Sequence, residues 1–236
     1  MARSPVVPKH TVRWTTVDAV LVLLGAQLLS ILWVGFVVVT VYDSTIPDPL
    51  PVAALVLLNL GLWLGYGGGT LLVSRAKGRD PIDDYGIHLR RLDLPVGVVG
   101  GVVVQAVVLP ILYWPLLRFV DGDPSESARE LVAGADGLVG HVLLVVAVVV
   151  VAPVVEELFF RGLFLRALER SVGTVAAVVV SSAVFALVHR QVLPLPGLFL
   201  FGVAAAAITV RTGRLGPAWA FHVGFNLTTL VILALE

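Results

Sequence analysis

Seven long apolar runs constrain this chain more than anything else in it. They fall at roughly 17–42, 51–74, 95–117, 138–160, 173–190, 194–210 and 216–235. Crossing about 30 Å of hydrocarbon at about 1.5 Å per residue takes about 20 residues, which five of the runs supply and 173–190 and 194–210 barely do. In lipid every backbone polar group must be satisfied within the segment, so isolated runs of this kind are helices. The expected fold is therefore all-α: a polytopic integral membrane protein of about seven transmembrane helices, with eight as the alternative count. It reads as one transmembrane domain over 1–236, with three generic spans and their loops in 1–130 and a distinct core in 138–235. Composition agrees. With 58% hydrophobic and 14% charged residues the chain has no material for a soluble surface. The first run is too long for a signal-peptide core and no clear cleavage site follows it, so it reads as a retained span.

Other classes drop out quickly. Net charge is zero, which leaves no case for nucleic acid. Cysteine is absent, excluding disulfides, thiolate metal sites and a cysteine nucleophile. No repeat of 20–50 residues is evident.

The connections are unequal in charge. Thirteen of the 16 Lys and Arg lie in the N-terminal tail, in 75–94, in the 161–172 turn and in 211–215. Arg118, Arg129 and Arg190 alone lie on the other side. The positive-inside rule then places the N-terminus in the cytoplasm and the C-terminus outside, in a multi-pass protein of the cell membrane. The segment "RFVDGDPSESARELVAGADG" becomes an acidic external loop.

Several polar or small residues have simple structural accounts. Gly61, Gly65 and Gly69 form a ridge for close helix packing. Gln27, Asn59 and Gln105 suit interhelical hydrogen bonds. The five tryptophans suit interface anchoring or packing, and Pro110, Pro115 and Pro153 suit kinks. His10, His88 and His141 lie near or beyond span ends.

Three stretches resist such accounts: "EELFFR" with Glu156, Glu157 and Arg161; "FALVH" with Phe185 and His189; and "HVGFN" with His222 and Asn226. Glu157 and Arg161, Phe185 and His189, and His222 and Asn226 are each four residues apart, so each pair shares one helix face. Glu157 and Arg161 form a local ion pair, whereas Glu156 points about 100° away from it. Each intramembrane charge costs about 2.5–3.5 kcal/mol even on the lenient insertion scale, so idle retention of all of them is disfavoured. Glu156 and His189 lie about 16 residues either side of the turn near Arg170–Gly173, which brings them level in an antiparallel hairpin. His222 is only about 8 residues from the next turn. For all to meet, the 161–172 hairpin must project about 12 Å further into the cytoplasm, at about 1.5 Å per residue. Residues 190–197, with "LPLPG", are expected to be irregular backbone lining the resulting cavity.

A carboxylate beside histidines in a wet pocket can take a proton from water, while His and Asn polarise a carbonyl and hold its oxyanion. The same set suits a divalent metal such as zinc, with Glu156, His189 and His222 as ligands. H-E-x-x-H and G-x-S-x-G are both missing, as is any paired intramembrane Asp arrangement.

In this order on late spans, E-E-x-x-x-R, F-x-x-x-H and H-x-x-x-N resemble the CPBP family of intramembrane endopeptidases, which includes CAAX prenyl endopeptidases and bacterial enzymes of the Abi and bacteriocin-processing type. The resemblance covers about residues 150–230. It implies a cavity formed by the late helices and opening to the cytoplasm. There Glu156 with His189 activates water, His222 and Asn226 form the oxyanion side, Glu157 and Arg161 support the site, and Phe185 packs. The implied substrate is a membrane-associated peptide or protein, either prenylated and CAAX-type or a leader peptide, cleaved by glutamate-activated or metal-dependent hydrolysis. The competing readings are a non-catalytic membrane scaffold or immunity protein, and a proton-coupled transporter.

Overall fold

The computed structural model describes residues 12–47 and 49–236; His10, Arg3 and Lys9 lie outside the described residues. The chain folds into helices α1 (Thr16–Val41), α2 (Val52–Lys77), α3 (Pro81–Tyr85), α4 (Asp93–Leu116), α5 (Glu126–Ala133), α6 (Gly137–Val172), α7 (Thr174–Val188), α8 (Leu195–Thr212) and α9 (Gly216–Leu235). Six of these are long and apolar enough to span a membrane, and α7 is a shorter apolar helix of 15 residues. Strands do not occur among the described residues. The chain is an all-helical, polytopic membrane protein.

Helix α7 is short because its ends are fixed. Gly173 starts it at φ 80, where a side chain is strained, and Arg190 at φ 56 breaks it just after His189. The irregular backbone expected over 190–197 is confined to 190–194, and α8 begins at Leu195.

The 161–172 segment is the end of α6, which is continuous over 36 residues, about 54 Å at about 1.5 Å per residue, and it is packed against neighbouring connections. Phe164, Leu165, Ala167 and Leu168 are all buried. Arg170 donates to the Trp14 carbonyl (2.7 Å) and lies 3.7 Å above the Trp14 ring. Arg166 donates to the carbonyls of Tyr85 (3.0 Å) and Gly213 (2.9 Å). Apolar residues on a helix end seek contacts, and here the neighbouring connections supply them. Arg161 is buried inside the protein and does not count as a loop charge.

Small residues set the helix spacings. On α2 a Cβ at Gly61 would lie 2.5 Å from Trp33 Cβ, one at Gly65 2.6 Å from Ala26 Cα, and one at Gly69 2.9 Å from Val22 Cγ1. This is the small-residue ridge in contact with α1. A second seam, not singled out in the sequence, brings Gly97 and Gly101 of α4 against Ala220, Phe221 and Phe225 of α9. Gly65→Leu is expected to lower stability by about 1–3 kcal/mol through overpacking. Gly25→Ala, in open space, is expected not to. Thermal unfolding in detergent compares them.

Four helical stretches are widened into π turns: Leu64–Gly68, Val104–Val108, Val146–Val151 and Leu158–Phe164. Such turns recur at functional sites because they shift side chains out of the regular register. Two of them lead directly into prolines, Pro110 and Pro153.

The two ends of the bundle differ. At one end, Arg13 N–H donates to the Lys77 carbonyl and Leu215 N–H to the Gly86 carbonyl (both 2.8 Å), and Arg214 pairs with Asp93. This is the basic face. At the other, Val52 N–H donates to the Gly134 carbonyl (3.2 Å), the Tyr113 hydroxyl to the Pro194 carbonyl (3.0 Å), and Arg129 pairs with Asp123 and Glu236.

Candidate active site

The site begins with the pair on α6. Arg161 Nη1 lies 3.0 Å from Glu157 Oε1, and the two side chains are 2% and 1% exposed. Three aromatic rings pack near the guanidinium, nearest Phe185 at 4.5 Å to the centroid, then Phe201 at 5.7 Å and Phe160 at 6.0 Å. Cation–π attraction adds to the ion pair where water is excluded.

The same Glu157 oxygen reaches α9: His222 Nδ1 is 2.9 Å away. An ionised carboxylate only accepts, so Nδ1 carries the hydrogen and Nε2 faces the other way. There it meets Glu156 Oε2 at 3.8 Å. Glu156 is 21% exposed where Glu157 is 1%, so of the two adjacent acids only Glu156 reaches solvent. Arg161 balances one of the two carboxylates.

His189 ends α7 with Nδ1 2.7 Å from the Phe185 carbonyl. A carbonyl also only accepts, which again assigns the hydrogen to Nδ1 and leaves Nε2 as the free nitrogen. His189 lines the same cavity as Glu156, but the imidazole in close range of Glu156 is His222. Phe185 fixes both histidines, its ring centroid 4.7 Å from that of His189 and 6.1 Å from that of His222.

Asn226 donates its side-chain amide to the Val148 carbonyl at 2.8 Å. That carbonyl is free for a local reason. In the widened turn Ala152 N–H bonds to Ala147, and the next residue, Pro153, has no N–H to give. The second amide hydrogen of Asn226 is uncommitted, and Asn226 lines the cavity.

These side chains wall a cavity of about 700 Å³. Asn59 and Gln105 line it too. Of the three spans' lone polar residues, Gln27 alone makes the expected interhelical bond, to the Tyr66 hydroxyl at 2.8 Å. Asn59 bonds within its own helix, to the Leu55 carbonyl.

From Glu156 the cavity extends towards α5. Ser125, Ser127, Glu130 and Leu131, from α5 and the residue before it, line the cavity together with Gln191 and Pro194. All belong to the end away from the basic face. Towards the basic face the cavity is stopped by buried rings: Tyr66 stacks on Phe159 at 4.5 Å, Phe159 meets Phe160 at 4.9 Å, and Phe159 stacks on Phe164 at 5.7 Å. The residues after Glu157 on α6 are large and fill space, whereas Ala147, Val148 and Ala152 before it leave room.

A zinc site would need Glu156, His189 and His222 on one ion. Glu156 and His222 approach each other, but no group of three such ligands converges among the described residues. The donor set in this arrangement does not fit a resident metal.

The fold and the site define a helical membrane protein with a charged, solvent-reaching pocket inside the bundle. Residues 138–228 match the family model described as type II CAAX prenyl endopeptidase Rce1-like. The match covers less than half of the chain, spans all three polar stretches, and supports membership of the CPBP family. No curated protein and no solved structure matches it significantly.

Proposed function

We propose that the chain is an intramembrane endopeptidase that hydrolyses a peptide bond of a membrane-associated substrate with water activated by Glu156. The observation that carries this reading is the 3.8 Å approach of Glu156 Oε2 to His222 Nε2 on the wall of the cavity. Two acceptors at that separation can both lie about 2.8 Å from one water oxygen, which then donates a hydrogen to each and turns a lone pair outward. Glu157 holds His222 in the tautomer this needs, and Arg161 holds Glu157.

Attack on a peptide carbonyl transfers the water proton to Glu156. The oxyanion is met by the uncommitted amide hydrogen of Asn226, and by His189 when its Nε2 is protonated. The proton then passes to the leaving amine. His222 thus has the role nearest the base, and His189 faces it across the cavity. A cavity of about 700 Å³ is within the usual range for a specific pocket, about 300–1,000 Å³. A proton-coupled carrier would need a route across the bundle, and the ring cluster beneath Arg161 argues against one.

The candidate substrates are a prenylated CAAX-type peptide and a leader peptide. The N-terminus is proposed to be cytoplasmic, from the charge bias. The test is to reconstitute the purified chain in liposomes with each membrane-tethered peptide and read new termini by mass spectrometry. Hydrolysis that persists at the full rate in Glu156→Gln overturns the mechanism. Activity is expected to survive a chelator, and loss that only added zinc restores overturns the metal-free route.

A further inference from the structure

We propose that Arg190 is a positioning residue: its left-handed backbone, anchored to α1, sets the tautomer and aim of His189. The part His189 plays in hydrolysis rests on the proteolytic reading of the site; the way its ring is held does not.

The end of α7 carries an unexpected residue. Helices commonly close on a residue of positive φ, usually Gly, which has no side chain to strain. Here it is Arg190, at φ 56. The turn tightens the last bonds of the helix. His189 N–H donates to the Ala186 carbonyl (3.3 Å) and Arg190 N–H to the Leu187 carbonyl (3.1 Å), both three residues back rather than four. The Phe185 carbonyl, four residues before His189, is thereby left for the imidazole, whose Nδ1 lies 2.7 Å away. A helix continued through 190 would draw the His189 N–H to that carbonyl and set it in competition with the ring. With the hydrogen on Nδ1 and held at Phe185, Nε2 is the nitrogen left for a substrate.

A strained conformation persists where its surroundings hold it. Arg190 Nη2 donates to Gln27 Oε1 of α1 at 3.1 Å. A guanidinium only donates, which turns the Gln27 oxygen towards Arg190 and the Gln27 nitrogen towards the Tyr66 hydroxyl, 2.8 Å away. Tyr66 stacks on Phe159 at 4.5 Å, Phe159 meets Phe160 at 4.9 Å, and Phe160 meets Phe185 edge-on at 5.1 Å. The anchor therefore closes, through buried rings, on the residue whose carbonyl holds His189.

The reversal at 190 also sorts the side chains. His189 and Gln191 both line the cavity, whereas Arg190 between them reaches α1 instead. Arg190 and Gln27 stand outside the cavity wall, so both act through His189 and neither is a catalytic residue.

The test separates backbone from side chain. Arg190→Gly loses the guanidinium but adopts φ 56 without strain, and Arg190→Val loses it and resists that conformation. Each protein is purified with nitrogen-15 in its histidine rings. NMR in detergent micelles, at alkaline pH where the ring is neutral, reads which nitrogen carries the hydrogen. His189→Gln identifies the His189 signals by their absence. The expected result is hydrogen on Nδ1 in the parent chain and in Arg190→Gly, and a mixture of tautomers in Arg190→Val. Peptide hydrolysis should follow: Arg190→Val loses about 10–100-fold in kcat at unchanged KM, as a displaced group does, and Arg190→Gly recovers to within about threefold of the parent. Arg190→Ala, less strained than Arg190→Val, covers the case in which the latter does not fold, and falls between the two in both readouts. One His189 signal common to all these proteins, or a change in Arg190→Gly equal to that in Arg190→Val, overturns the proposal. The spectrum needs no substrate. A tautomer that follows the backbone at 190 without any Glu156-dependent cleavage would overturn the proteolytic reading alone. Glu156-dependent cleavage with an unmoved His189 signal would overturn the positioning alone.

Discussion

Glu156→Gln is expected to reduce peptide hydrolysis by about 10²–10⁴-fold, the usual worth of a positioned general base. The amide keeps the shape of the side chain but cannot take the water's proton. Stability should move the other way. A charge within the membrane-spanning region costs about 2.5–3.5 kcal/mol on the lenient scale, and the substitution removes one. The melting temperature in detergent is therefore expected to hold or rise while turnover collapses, and that divergence separates loss of chemistry from loss of fold. A lower melting temperature with proportionate loss of activity would make Glu156 a structural residue. His222→Gln provides a companion measurement. It removes the second acceptor for the water and should also lower turnover sharply at similar substrate binding.

The second large effect belongs to the buried pair. Arg161→Met or Glu157→Gln alone is expected to destabilise the protein by about 3–5 kcal/mol, because each leaves an uncompensated charge among aromatic rings. The double variant removes both charges and should recover most of that loss, which thermal unfolding of all four proteins measures as a coupling energy. Activity should not recover in parallel. Glu157 Oε1 is the acceptor that fixes the His222 ring, and with a neutral amide there the imidazole loses its charged anchor. Additive losses in the two single variants would mean that the 3.0 Å approach of Arg161 to Glu157 carries no energy.

Much of this architecture was legible in the sequence. Apolar runs located the spans, the turn at Gly173 was placed by the charged end of α6, and the ridge of Gly61, Gly65 and Gly69 packs as its spacing implied. The pairing of Glu157 with Arg161 follows from four-residue spacing, although the helix widens into a π turn just there. What the sequence did not convey is depth. Counting residues from the nearest turn put His222 close to the basic end and required 161–172 to project. The partners of that segment were not readable: Phe164, Leu165 and Leu168 are buried and Arg166 reaches Tyr85, and no local pattern reports a partner 80 residues away. The proximity of His222 to Glu156, ahead of His189, has the same origin. Asn226 was singled out by its motif, but its bond to Val148 depends on a widened turn and on Pro153, a combination visible only once the two helices lie side by side. The glycines of α4 escaped notice because small residues in an apolar run look alike whether they face lipid or a neighbouring helix.

The layer of rings beneath the acid has a physiological corollary. Hydrolysis inside a bilayer requires admitting water to a depth where ions are normally kept out, and a shaft open at both ends would short-circuit the gradients the membrane maintains. Stacked Tyr66, Phe159 and Phe164 convert the shaft into a blind well. Trimming one of them to alanine would then show itself first as proton conductance through the protein, in vesicles that contain nothing to cleave.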